Sequence, residues 1–88
     1  MTADDITFKR LRWRSRRGML ALDLLLMPFV EEAYKDLTDA DQQAYAKLLE
    51  QDDPDLLEWF SHQSTPDDHD LRRLVTMILD RTQARNAL

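Results

Sequence analysis

The chain has no cysteine, which excludes a disulfide framework, a thiolate metal site and a thiol nucleophile. It has one glycine, Gly18, and three prolines, too few turn-forming residues for a protein built from β-hairpins. No apolar run approaches the length of a membrane span: the longest, Leu24 to Val30, is about one-third of what a transmembrane helix needs. The first 17 residues are polar and charged and contain no apolar stretch of a secretory signal, so secretion is not expected. Only His62 and His69 offer imidazole chemistry. Basic residues are scarce in the middle: between 23 and 70 there are fourteen acids against Lys35 and Lys47.

What is present is helical. Eighty-eight residues, 43% of them hydrophobic, suffice for one small domain whose core is held by helix packing alone. Helix one is expected over about Asp4 to Ser15, capped by Thr2 or Asp4, with Ile6, Leu11 and Trp13 as a thin apolar set. Helix two is expected from Met19 to about Tyr34. Leu22, Leu25, Leu26, Phe29, Val30 and Ala33 follow a helical repeat, and Leu20, Leu24 and Met27 widen it until the helix is apolar nearly all round. Such a helix belongs at the buried centre of a bundle, and Pro28 should kink or break it. Helix three starts at Thr38, which forms a capping-box variant with Asp41, and turns Ala44, Tyr45, Leu48 and Leu49 inward. Asp53-Pro54 opens helix four, with Leu56, Leu57, Trp59 and Phe60 as core. Thr65-Pro66-Asp67-Asp68 repeats the device for helix five, whose stripe is Leu71, Leu74, Val75, Ile78 and Leu79. The pattern predicts an all-α, compact five-helix bundle: one domain over 1–88, fraying at 1–3 and 84–88, monomeric and cytoplasmic, with no membrane insertion.

Charge is segregated along the chain. Residues 1–17 carry Lys9, Arg10, Arg12, Arg14, Arg16 and Arg17 against two acids, whereas 23–70 is strongly acidic. Asymmetry of this kind bears on partners, not on fold. The arginines around Trp13 raise nucleic-acid binding as one reading, since arginine with an aromatic can hold phosphate and stack on bases. Spacing of two on a helix splits them between nearly opposite faces, and the acidic remainder would repel a polyanion. His69 among Asp67, Asp68 and Asp70, and the group Asp52, Asp53, Asp55 and Glu58, suit helix N-termini without any ion, and lack the glycine and spacing of a calcium loop. No catalytic constellation emerges.

The densest signal is Arg16-Arg17-Gly18-Met19-Leu20-Ala21-Leu22-Asp23. Gly18 fits a C-terminal cap for helix one, because glycine enters the left-handed region without steric cost. Arginines at such a corner are either pre-organised for a partner's carboxylate or phosphate, or they cap carbonyls and pair with Asp23; residue chemistry leaves both open.

Three stretches together resemble one family. Arg17-Gly18-Met19-Leu20-Ala21-Leu22-Asp23 resembles the RGxxELD signature of the SdhE (succinate dehydrogenase assembly factor 2) family. Met27-Pro28-Phe29 with Glu31-Glu32 is similar to its MPF(F)E segment. Leu48-Leu49-Glu50, Asp52-Asp53-Pro54-Asp55-Leu56 and Trp59 are similar to its LLExDDPDLxxW segment. The resemblance spans roughly residues 8 to 82. It implies a five-helix factor without enzymatic activity that binds the flavoprotein subunit of succinate dehydrogenase, and in bacteria also fumarate reductase. It further implies promotion of covalent FAD attachment to a histidine of that subunit, FAD being the partner's cofactor and not stably held by this chain. The partner-binding residues carried over are Arg16, Arg17, Gly18, Met19 and Asp23. Ala21 stands where the family usually has Glu, so a carboxylate is missing there. Competing readings are an antitoxin-like regulator and a small nucleic-acid-binding helical protein.

Overall fold

The computed structural model describes residues 3–86, with side chains over 5–85, so the expected caps Thr2 and Asp4 and the extreme ends lie outside what is described. Five α-helices follow one another: α1 (Ala3–Ser15), α2 (Leu20–Glu32), α3 (Asp39–Leu49), α4 (Asp53–Phe60) and α5 (His69–Asn86), with a 3-10 turn at Tyr34–Asp36 after α2. The Cα radius of gyration is 12.5 Å, against roughly 12 Å for a compact chain of this length. Among the described residues there is no strand, and no helix is long and apolar enough to cross a membrane.

α2 is the central element. It packs on α1, α4 and α5, while α3 lies against α5 and α1. Its inward stripe, Leu22, Leu26, Phe29 and Val30, is buried, and so are the expected face of α3 (Ala44, Tyr45, Leu48, Leu49) and, of the α5 stripe, Leu71, Leu74, Val75 and Ile78, with Leu79 half-buried against them. α2 is not enclosed all round, however: Leu20 is 72% and Leu24 61% exposed. Three neighbouring helices cover only part of its circumference, and the outward face stays in solvent despite its hydropathy. Pro28 does not break the helix. The carbonyl that loses its donor belongs to Leu24, on the solvent side, where water is available to it. In α1 only Leu11 of the expected apolar set is buried; Ile6 and Trp13 are exposed. Phe8 serves instead, 5.9 Å from the Tyr34 ring and beneath the Lys35 ammonium at 4.6 Å.

The helix starts follow the expected chemistry with one displacement. Thr38 caps α3, its hydroxyl accepting from the Asp41 N–H at 3.2 Å, while the Asp41 carboxylate goes to Arg73 of α5. Pro54 sits in the first turn of α4. α5, by contrast, begins at His69 and not at Pro66: the Asp68 carboxylate accepts from the N–H groups of Asp70 and Leu71, and Pro66 is buried in the preceding link. The Lys47 ammonium, together with those two N–H groups, holds the Asp68 carboxyl below its ordinary range. Of the acids beside His69, Asp68 caps α5 and pairs with Lys47, and Asp70 pairs with Arg73 at 2.8 Å.

Candidate functional site

α1 ends at Ser15, and its last turn closes with the Arg16 N–H on the Trp13 carbonyl at 3.3 Å. Gly18 therefore lies beyond the helix end and does not cap it. At φ +80° it turns the chain into α2, whose N-cap position is taken by Met19 without a side-chain cap. A Cβ on Gly18 would meet nothing within 4 Å, so glycine is needed for the backbone angle and not for space.

The two arginines of this corner point in different directions. Arg16 is exposed, and its side chain has no ion pair among the described residues. The Arg17 side chain is only 16% exposed. Its Nε donates to the Asp53 carboxylate at 2.8 Å. Nη1 donates to the Leu49 carbonyl at 2.8 Å and, at 3.4 Å, to that of Arg14; Nη2 donates to the Gln51 carbonyl at 2.7 Å. The guanidinium thus sits on the C-terminal carbonyls of α3, where the helix dipole favours a cation, and on the first residue of α4. Asp23 completes the corner from α2: its carboxylate accepts the backbone N–H of Arg17 at 2.7 Å.

A second anchor lies behind. Ser15, fully buried, donates its one hydroxyl proton to the Leu11 carbonyl at 2.7 Å. The 2.6 Å contact between Ser15 and Tyr45 is therefore a bond donated by the Tyr45 phenol. Burial drives the Tyr45 pKa well above the ordinary range, so the phenol stays protonated. No buried side-chain polar atom among the described residues lacks a partner.

Arg17, Gly18 and Asp23 are thus brought together with Asp53. Arg16 and Met19 face outward from the same turn, and Trp13, 78% exposed, lines an open hollow of about 450 Å³ with Arg16, Arg17, Glu50 and Asp53. Ala21 lies elsewhere, in a groove with Leu24 and Pro28 of α2 and Thr82 and Arg85 of α5. A Glu at that position would not meet Arg17, whose guanidinium is committed to α3 and α4. Sequence reasoning missed the part Asp53 plays here, since it accounts for that carboxylate as helix capping; no local pattern links it to an arginine 36 positions earlier.

The corner of this all-α bundle is anchored within and displays an arginine and an exposed tryptophan outward. The profile of a family described as flavinator of succinate dehydrogenase matches residues 9–82. Curated relatives named FAD assembly factor SdhE agree with it. That of Pseudomonas aeruginosa is 56% identical, covering 92% of this chain and 96% of its own. That of Pseudomonas savastanoi pv. phaseolicola is 48% identical, covering 93% and 98%. That of Yersinia pseudotuberculosis is 45% identical, covering 86% of each. The chain belongs to the family of succinate dehydrogenase flavinators.

Proposed function

We propose that this protein is an FAD assembly factor: it binds the flavoprotein subunit of succinate dehydrogenase and promotes covalent attachment of FAD there, with the fumarate reductase flavoprotein as a second client. The observation that carries the reading is the α1–α2 corner, rigid within and open without, on a chain of this family. The factor acts by binding and not by chemistry of its own. It favours a conformation of the flavoprotein in which the flavin and its attachment residue meet. It works as a monomer in the cytoplasm and takes no nucleic acid.

FAD stays with the partner. A dinucleotide pyrophosphate is held by backbone N–H groups at a glycine-rich helix start. Here the only glycine is Gly18, and each helix from α2 to α5 already carries an acid in its first turn: Asp23, Asp39, Asp53 and Asp70 among them. These carboxylates would repel phosphate where a cradle would have to form.

Deletion of the gene, followed by a denaturing gel viewed for flavin fluorescence, tests the proposal. The succinate dehydrogenase flavoprotein should lose most of its covalent flavin and regain it when the gene is restored. Unchanged flavin would remove the reading. The purified factor should neither retain FAD on gel filtration nor turn it over, and either result would contradict the non-catalytic role.

A further inference from the structure

The guanidinium of Arg17 has five N–H donors, and four of them are already used on Asp53, Leu49, Arg14 and Gln51. A forked contact to a partner carboxylate needs two free donors side by side. Arg17 cannot supply them while the corner keeps this shape. Arg16 can, being exposed and without an ion pair among the described residues.

What holds Arg17 inward is a set of three acceptors from one link. Two are carbonyls, Leu49 at the end of α3 and Gln51 just after it; the third is Asp53, the first residue of α4. The carbonyls are fixed by the path of the chain. Asp53 is the only one of the three contributed by a side chain, and the only one carrying full charge. We propose that Asp53 is a positioning residue of the binding corner: through Arg17 it sets where Arg16, Gly18 and Met19 stand, and Arg17 itself does not touch the partner. Asp53 is then part of the same functional unit as the Arg17-Gly18 turn, 36 positions away in the chain.

The binding half of this inference rests on the proposed function; the positional half does not. The test is a double-mutant cycle of Asp53→Ala and Arg17→Lys, with Asp55→Ala as control. Asp55 also lies in the first turn of α4 but is exposed and makes no described contact with the corner. Two quantities are measured at a temperature where circular dichroism shows each variant folded. One is the amide NMR signal of Gly18, unambiguous because the chain has no other glycine. The other is the dissociation constant for purified flavoprotein subunit lacking covalent flavin.

Asp53→Ala should displace the Gly18 amide signal and weaken binding roughly tenfold, and Asp55→Ala should do neither. The double variant should bind no worse than Arg17→Lys alone, because both changes open the same contact. The proposal is overturned if Asp53→Ala binds as the parent or tighter while Arg17→Lys binds poorly, since Arg17 would then act on the partner directly. Losses that multiply in the double variant would overturn it too. Should the parent chain fail to bind the flavoprotein at all, the functional reading falls. The Gly18 signal of the free chain still decides whether Asp53 positions the corner: an unmoved signal in Asp53→Ala ends the proposal.

Discussion

Among the described residues two turns hold a residue at positive φ, and they are built in opposite ways. At the α1–α2 corner the residue is Gly18, at +80°; after α4 it is His62, at +64°. The His62 turn is closed entirely by backbone. The Gln63 N–H reaches the Glu58 carbonyl at 2.9 Å and the His62 N–H reaches that of Trp59 at 3.3 Å, a Schellman closure with histidine where glycine is usual. Its side chain is exposed. The Gly18 turn is closed by side chains: Asp23 of α2, Asp53 of α4, and its own Arg17 reaching the end of α3. One turn merely ends a helix. The other ties four helices to a single point, and what it displays outward inherits that rigidity.

The most damaging way to break this contrast is Arg17→Ala. It leaves Asp53 and three carbonyls without their cation in a largely buried place, which should cost about 2–4 kcal/mol. For a domain of this size that lowers the thermal midpoint by roughly 10–25 °C, readable by circular dichroism. His62→Ala, the equivalent truncation at the other turn, should shift the midpoint by only a small fraction of that. Equal effects would mean that the corner is no more tightly held than an ordinary helix end.

Tyr45→Phe comes next. It removes the phenol that Ser15 receives and leaves the buried Ser15 hydroxyl with Leu11 as its remaining partner. The expected loss is about 1–2 kcal/mol by chemical denaturation. If Tyr45→Phe proved neutral, the buried pair would not be an anchor of the α1 end, and Arg17 would hold the corner alone.

These two residues also mark where sequence reasoning reaches its limit. The inward faces of α2, α3 and α5 were legible because burial imposes a period on residue type, and Leu22, Leu48 and Ile78 are buried as that period requires. Thr38 and Pro54 were legible because caps act within one turn. Arg17 was legible as a corner residue but not in its direction: three of its acceptors are backbone carbonyls, which every residue has and which leave no mark on residue type. The outward face of α2 misled for the opposite reason. Leu20 and Leu24 read as core because hydropathy records the side chain and not how many neighbours are available to cover it. Of the candidate site, Arg17, Gly18 and Asp23 are gathered as their proximity in the chain suggests, Arg16 and Met19 look outward, and Asp53 enters only in three dimensions.

Exchanging the two left-handed residues sharpens the contrast further. Gly18→Ala meets no atom within 4 Å, so its cost is the backbone angle alone, about 1 kcal/mol. His62→Gly should run the other way and stabilise the fold by about 0.5–1 kcal/mol, as the strain relieved exceeds the added freedom of the unfolded chain. Denaturant midpoints of the two variants should therefore move in opposite directions. Flavinylation should fall with Gly18→Ala and stay unchanged with His62→Gly. A common direction of shift would show that side-chain context, and not φ, decides what each position tolerates.

The smallest expected effect belongs to Ala21→Glu, and it bears on what the corner lacks. Position 21 is exposed in the first turn of α2, where a carboxylate interacts favourably with the helix dipole and should add about 0.3–1 kcal/mol at low salt. That gain should fade as salt rises, because the position is open to solvent. It should also persist in an Arg17→Lys background, since the guanidinium faces Asp53 and not residue 21. A coupling between the two changes would place Arg17 within reach of the new carboxylate and undo the inward assignment. Without coupling, any improvement in flavoprotein binding by Ala21→Glu must come from the partner's side, and the groove that Ala21 shares with Leu24, Pro28 and Arg85 would then be the surface on which that contact is made.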